Sequence, residues 1–377
     1  MPSANQVVAL LVLAAAVAAA FPAASHQSPD RRLLAFAAGE GWNSDIYVIR
    51  AEGTGLRRLT RSPLREDTPT WSPDGKQLAF RVWSGSRDDE EIYVMNADGS
   101  ARHDISRDPE AIDRSPAWSP DGRSIAYATG PQDGPGGYLD DIWLMSPGGG
   151  GKRALTHRRG IDEYPVWSPD GSQIAFACTD GRILPSRNGD FEICLMRSDG
   201  SGVRRATDAS GVSLAYSWSP SGRTIAFASN RADPAARLTS GGDLFLLDVA
   251  SARVTRLTRG APQDVEPAFS RDGRQIAFAS LRRRSRHGDL YLLRLRDRRI
   301  RRLTHLAGDE GDPAWQPSLV AVTRVSAAPS CSQRSSCRGC STSAGRGSCC
   351  ARAPRTTSRP ADPRSSSRTS SPRTDQP

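Results

Sequence analysis

One thirteen-residue block recurs along most of this chain, and it limits the fold more than any other feature. It reads TPTWSPDGKQLAF (68–80), SPAWSPDGRSIAY (115–127), YPVWSPDGSQIAF (164–176), AYSWSPSGRTIAF (215–227) and EPAFSRDGRQIAF (266–278). The aromatic within it falls at Trp71, Trp118, Trp167, Trp218 and Phe269, and Trp315 opens a shortened last copy. Successive gaps are 47, 49, 51, 51 and 46 residues. A second block keeps step: DIYVIR from Asp45, EIYVMN from Glu91, DIWLMS from Asp141, EICLMR from Glu192, DLFLLD from Asp243 and DLYLLR from Asp289. A third marker is the Leu-Thr pair at 59–60, 155–156, 257–258 and 303–304, replaced elsewhere by Ile105-Ser106 and Ala206-Thr207. Self-similarity at this period marks a repeat architecture.

Each unit decodes into four short strands. In Ser-Pro-Asp-Gly the Pro presets φ, Asp bonds the local backbone, and Gly accepts the positive φ that leads into the next strand. The flanks are therefore strands A and B of a hairpin. The Ile-Tyr-Val-Met type of run is strand C. Tight turns such as Asn96–Ser100 and Arg197–Ser201 lead into strand D at Arg-Arg-Leu-Thr. Strands B and C are almost continuously apolar, as expected where both faces of a sheet are covered.

Strand C occurs six times. The first A–B block, Ser28–Phe36, has no aromatic strand before it, and the missing strand stands at the far end as Pro313-Ala314-Trp315. Six units close only if that C-terminal strand joins the N-terminal one, which also removes a free sheet edge. The expected fold is all-β: a six-bladed β-propeller of four-stranded blades over residues 28–317, sealed by its two ends.

The flanking segments are of another character. Val7–Ala20 is an uncharged, mostly apolar run followed by small residues, which reads as an export signal over residues 1–25, although no Lys or Arg precedes it. The segment 329–377 is rich in Ser, Arg, Pro and Cys and is expected to be disordered. Between Cys331 and Pro377 nine Arg face Asp362 and Asp375, so this tail supplies +7 of the chain's formal net charge of +10. The remainder is nearly neutral, which argues against a nucleic-acid partner. Cys178 and Cys194 flank one hairpin-like stretch. They read either as a cross-strand disulfide or as two small buried apolar residues, and the sequence leaves both open.

The unit Trp-Ser-Pro-Asp-Gly-x-x-Ile-Ala-Phe, followed by Asp-Ile-Tyr-Val-Met-Asn-Ala-Asp-Gly-Ser and Arg-Arg-Leu-Thr, resembles the WD-like repeat of the TolB propeller family. The resemblance covers residues 28–317. It implies a six-bladed ring and, for TolB proper, a periplasmic protein that binds partners of the Tol–Pal envelope system. That family carries an α/β domain ahead of its propeller, whereas here the first blade is expected within a few residues of the export signal.

Three sets of repeated residues invite a function. The tryptophans are explained by packing between blades. The acids that open strand C are architectural, bonded or paired with Arg at the end of strand B, as Arg231 and Arg282 suggest. The third set is Glu66, Asp113, Asp162, Asp264 and Glu310, three residues before the Pro that precedes each aromatic or in the equivalent place, with Ser213 in the remaining unit. Read as loop residues between strand D and strand A, they converge on one channel mouth as a negative ring for a cation or a Lys/Arg-bearing segment. Read otherwise, each accepts hydrogen bonds from its own loop. The B–C loops, Trp83–Glu90, Gly130–Asp140, Thr179–Asp190 and Asn230–Gly242, open on the same face and vary most.

No Gly-x-Ser-x-Gly, phosphate loop or helical His pair occurs, and the five His are scattered. The expectation is a monomeric, exported, periplasmic or secreted scaffold that binds a protein or peptide through one loop-bearing face. It needs no cofactor and is not integral to the membrane once the signal is removed. The competing expectation is a metal-dependent carbohydrate-active or other small-molecule enzyme, with a divalent cation at the channel mouth.

Overall fold

The computed structural model describes residues 33–317, apart from 86–88, 132–139, 180–190, 209–210, 234–241, 261–262 and 282–286. The expected export signal, the tail with its five Cys, Arg282 and most of the long B–C loops lie outside the described residues.

Six antiparallel sheets of four strands account for the described chain. Blade 1 contains β1 (Leu33–Gly39), β2 (Asp45–Arg50) and β3 (Arg57–Arg58). Blade 2 is β4 (Arg65–Trp71), β5 (Gln77–Trp83), β6 (Glu90–Asn96) and β7 (His103–Asp104). Blade 3 is β8 (Ala111–Trp118), β9 (Ile125–Pro131), β10 (Asp141–Met145) and β11 (Arg153–Ala154). Blade 4 is β12 (Asp162–Trp167), β13 (Gln173–Cys178), β14 (Glu192–Arg197) and β15 (Arg204–Arg205). Blade 5 is β16 (Ser213–Trp218), β17 (Thr224–Ser229), β18 (Asp243–Asp248) and β19 (Val254–Arg256). Blade 6 is β20 (Asp264–Phe269), β21 (Gln275–Ser280), β22 (Asp289–Arg294) and β23 (Arg299–Arg302). The last strand, β24 (Asp309–Trp315), pairs with β1, with Leu34 opposite Trp315 and Gly39 opposite Asp309. The ring is closed by its own ends, as the count of repeats requires.

The turn chemistry accounts for the A–B hairpins. Ser72 donates to Asp74 at 2.7 Å and Gly75 sits at φ 66°; Ser119, Asp121 and Gly122 repeat the arrangement at 2.6 Å and 71°. Strands B and C supply the core. Phe36, Phe80, Phe176, Phe227 and Phe278 are fully buried, and each apolar cluster joins strands of two neighbouring blades.

The recurring aromatic also ties blade to blade by a hydrogen bond. The indole N–H of Trp71 reaches the Ala314 carbonyl at 3.0 Å, that of Trp167 the Ala117 carbonyl at 3.2 Å, that of Trp218 the Val166 carbonyl at 3.1 Å, and that of Trp315 the Ala268 carbonyl at 3.1 Å. Phe269 cannot donate, and there the Ser217 hydroxyl accepts from the Phe269 backbone N–H at 3.0 Å. A buried Trp needs such a partner.

The Leu-Thr marker has an equally plain cause. In every blade its hydroxyl accepts the N–H of the second residue of strand C: Ile46, Ile92, Ile142, Ile193, Leu244 and Leu290, at 2.8–3.0 Å. The acid opening strand C receives that hydroxyl in return at Asp45, Glu91, Asp141 and Glu192. The arginine partner differs from the sequence expectation. Asp45, Asp243 and Asp289 pair with Arg58, Arg256 and Arg302 of strand D in their own blade, because strand D is the neighbour of strand C. Among the described residues, Glu192 lies 4.0 Å from an arginine that follows a strand B, Arg231, and that strand belongs to the next blade.

Candidate functional site

The five carboxylates singled out in the sequence lie within or at the edge of strand A, and this decides where they point. Successive side chains of a strand face opposite sides. Glu66, Asp113, Asp162, Asp264 and Glu310 are at most 3% exposed, and of the five Glu310 alone is among the described residues lining the cleft beside the channel. They fasten the junctions instead. Glu310 accepts from the Thr304 hydroxyl, the Leu306 N–H at 2.9 Å and the Leu290 N–H at 3.2 Å. Asp264 accepts from the Ser280 hydroxyl at 2.5 Å, Glu66 meets Arg102 at 2.6 Å, and Asp162 lies 3.7 Å from Arg158. Burial pushes the Asp113 carboxyl up to about 7 and that of Asp162 to about 6. The structure does not gather these five into an open ring.

The channel wall is formed by the residues one and two places further on. There the A strands bulge. The register slips between Asp67 and Thr70, Arg114 and Ala117, Glu163 and Val166, and Val265 and Ala268. The residue before each Pro takes a left-handed conformation: Thr68 (φ 50°), Ser115 (54°), Tyr164 (54°), Glu266 (54°) and Asp312 (53°). Proline has no N–H to give to a ladder, so a bulge accommodates it. The bulge turns an additional side chain inward, and all five residues line a central cavity of about 270 Å³. Non-glycine residues in this region are strained, and strain of this kind gathers where a fold positions a side chain.

Above that cavity a charged network crosses several blades. Asp67 accepts two bonds from Arg81, at 2.7 and 2.6 Å, and one from Arg65 at 2.7 Å. Arg81 continues to Glu90 at 2.7 Å. Arg114 lies 3.3 Å from Glu163, 3.6 Å from Asp140 and 3.7 Å from Glu90. Between neighbouring blades the Asp312 N–H donates to Glu266 at 2.6 Å, and the Thr68 N–H donates to Asp312 at 3.2 Å. Among the described residues six carboxylates thus face three arginines.

The carboxylates divide by partner. Burial opposes ionisation of Asp67, but Arg81 and Arg65 hold it below the usual range. Burial, then the nearby Asp312, pushes Glu266 up to about 8. Burial, then Asp140, does the same to Glu163. Burial and Asp67 raise Asp312 to about 6. Among the described residues, the acids outnumber the arginines that face them.

The network opens into a larger cleft of about 580 Å³, lined by residues of blades 1, 2 and 6, including Arg65, Asp67, Glu266 and Asp312. At its rim stands Trp42 in the β1–β2 loop, 76% exposed, with Trp83 edge-on to it at 5.6 Å. Among the described residues no three His, Cys, Asp or Glu converge so as to hold a metal ion. The chemistry on display suits a guanidinium or ammonium group flanked by an indole.

These features fix the architecture, and the comparisons agree with it. The solved TolB of Acinetobacter baumannii superposes with a TM-score of 0.62 over 76% of this chain and 67% of that one, at 20% identity. This chain shares with that TolB the fold of a six-bladed β-propeller. No protein-family model matches it. Among curated proteins, an uncharacterized peptidase YuxL of Bacillus subtilis is 41% identical over 59 residues, 15% of this chain and 9% of that protein. The Tol-Pal system protein TolB of Anaeromyxobacter dehalogenans is 43% identical over 44 residues, 12% of this chain and 10% of that protein. The matched stretches span about a tenth of those relatives, so the likeness of the TolB-like propeller to them concerns the repeat.

Cys178 and Cys194, left open by the sequence, are joined by a disulfide between β13 and β14, with Cα atoms 5.8 Å apart.

Proposed function

We propose that the protein is an exported scaffold that holds a basic segment of a protein or peptide at the loop-bearing mouth of its propeller channel. The observation that carries this reading is the excess of carboxylates over arginines among the described residues of the channel network, opening beneath the exposed Trp42. Glu266, Glu163 and Asp312 are held against their preference for charge, and an arriving Lys or Arg relieves that by pairing with them. Trp42 offers the stem of the same side chain a flat apolar partner. Glu66, Asp113, Asp162, Asp264 and Glu310 then serve binding indirectly, by fixing the strands that carry the channel residues.

Export is supported by the disulfide, which fits an oxidising compartment, and by the apolar N-terminal run. A partner in the cell envelope follows from the resemblance to TolB.

The test is capture of partners from an envelope extract by the parent and by a Glu266→Gln/Asp312→Asn variant, each at low and at high salt. The reading expects one or more proteins recovered by the parent, weakened by salt and lost with the variant. Recovery of the same proteins in equal amount by both would remove the channel carboxylates from the function.

A further inference from the structure

The six blades are copies of one plan, so a blade that departs from it exposes what the departure achieves. In five blades the third residue of strand C or its equivalent is aromatic: Tyr47, Tyr93, Trp143, Phe245 and Tyr291. Four of these rings lie beside the strand B aromatic opposite them, at centroid distances of 5.5–6.1 Å. Blade 4 has Cys194 there, opposite Phe176. Its partner Cys178 stands where the other blades carry Ala38, Val82, Thr129, Ser229 and Ser280.

Two sulfurs occupy far less room than a ring. Where the ring would lie, blade 4 has a cavity of about 360 Å³, with the disulfide as one wall. Arg158, Arg204 and Arg205 complete it together with Thr179 and Val203; among the described residues no carboxylate lines it, although Asp162 lies 3.7 Å from Arg158.

The arginines depart from the plan as well. Arg205 is placed opposite Cys194 as Arg58 is opposite Tyr47, Arg256 opposite Phe245 and Arg302 opposite Tyr291. Each of those three pairs with the acid that opens its own strand C, and Arg58 also lies over its ring at 6.0 Å. In blade 4 that acid, Glu192, takes the Thr207 hydroxyl and lies near Arg231 of blade 5. Among the described residues, Arg205 has neither a ring beneath it nor a carboxylate beside it. Arg158 is steadied at the rim by a 2.9 Å bond to the Thr179 carbonyl, with its other terminal nitrogen 3.6 Å from the Cys194 sulfur.

We propose that this cavity is a binding site for a small molecule with an oxyanion head, carboxylate or phosphate, on a flat apolar body. The body takes the place of the ring that the other blades supply from within, and the head meets the arginine forks, whose geometry matches both oxyanions. The volume lies at the small end of the ~300–1,000 Å³ usual for ligand clefts. The site is on the outer part of blade 4, is built by residues other than those of the channel network, and stands independently of the function proposed above.

Calorimetric titration with phenyl phosphate, benzoate, inorganic phosphate and benzyl alcohol tests it. Saturable binding of phenyl phosphate or benzoate is expected, with the head alone and the body alone much weaker. The stronger of the two aryl anions identifies the preferred oxyanion. Arg205→Ala, an exposed position, should weaken that binding about tenfold, the loss of one charge-assisted pair worth ~1.4 kcal/mol. A Cys178→Ala/Cys194→Phe variant, which restores the common plan and fills the cavity, should lose it while keeping a cooperative melt. Absence of saturable binding by either aryl anion overturns the proposal, as does binding unchanged by Arg205→Ala.

Discussion

Two sets of carboxylates, one or two residues apart on the same strands, serve opposite ends. Glu66, Asp113, Asp162, Asp264 and Glu310 face the blade junctions and are met by hydroxyls, amides or arginines. Glu163, Glu266 and Asp312 face the channel, where their near neighbours include other acids. Burial opposes ionisation in both sets; in the first it is countered by hydroxyls, amides or arginines, most fully at Glu310, whereas at Glu266 and Glu163 the next-largest influence is a neighbouring acid that adds to it. The proposed binding site thus coincides with the acids that are loaded by other acids, not with those that recur most regularly.

This contrast can be broken by substitution. Glu310→Ala leaves the half-buried Leu306 N–H and the buried Thr304 hydroxyl without their acceptor, while the Leu290 N–H keeps its bond to the Thr304 hydroxyl. It should lower unfolding free energy by about 2 kcal/mol, since each orphaned buried group costs roughly 1–3 kcal/mol; a denaturant melt measures it. A loss no larger than for an exposed carboxylate would erase the distinction between the sets.

The next effect is on pH dependence. Glu266 and Glu163 have folded values raised to about 8 from an ordinary 4.5. Their protonated forms are favoured in the folded state, so their stabilisation is complete below the unfolded value and is lost as pH rises toward 8. The parent should lose roughly 3 kcal/mol for each of the two between pH 5 and pH 8. Glu163→Gln/Glu266→Gln should flatten that slope. Some slope should remain, because Asp113 and Asp162, also raised, act in the same sense. Thermal melts across that range would settle the sign, and a parent that gains stability with pH contradicts the load on the channel.

The smallest effect concerns the bulge. Thr68 is β-branched at φ 50°, and Thr68→Gly should relieve that strain, offset by the greater freedom of glycine when unfolded. A net gain of ~0.5 kcal/mol is expected. A loss above ~1 kcal/mol would mean that the Thr68 side chain holds the channel wall together.

Much of the fold could be read before any coordinates, because its determinants are local and repeated six times over. The Ser-Pro-Asp-Gly turns, the apolar B and C strands and the unpaired Trp315 each speak for themselves in sequence. The channel wall was legible only in part. Placing Glu66 and its equivalents in loops concealed the alternation of a strand, which sends Glu66 to the junction and Asp67 to the channel. The Pro after Thr68, Ser115, Tyr164, Glu266 and Asp312 was the available sign of a bulge, since proline within a ladder demands one. Trp42 gave no signal, as an aromatic in a loop is indistinguishable from one in a core until its exposure is known. Pairing of Cys178 with Cys194 depends on the register that sets Phe176 opposite Cys194, and spacing alone does not supply it.

The seam between β1 and β24 orders events in time. A ribosome makes β1 among the first strands and β24 after all the others, so the opening blade has an unprotected inner edge while five blades are being made. Two of the four Trp-to-carbonyl ties, Trp71 to Ala314 and Trp315 to Ala268, form only when the Trp315 segment arrives. Chains cut short by a protease or a premature stop would carry an edge ready to pair with the wrong neighbour, and the last strand acts as a seal of completeness on each finished copy.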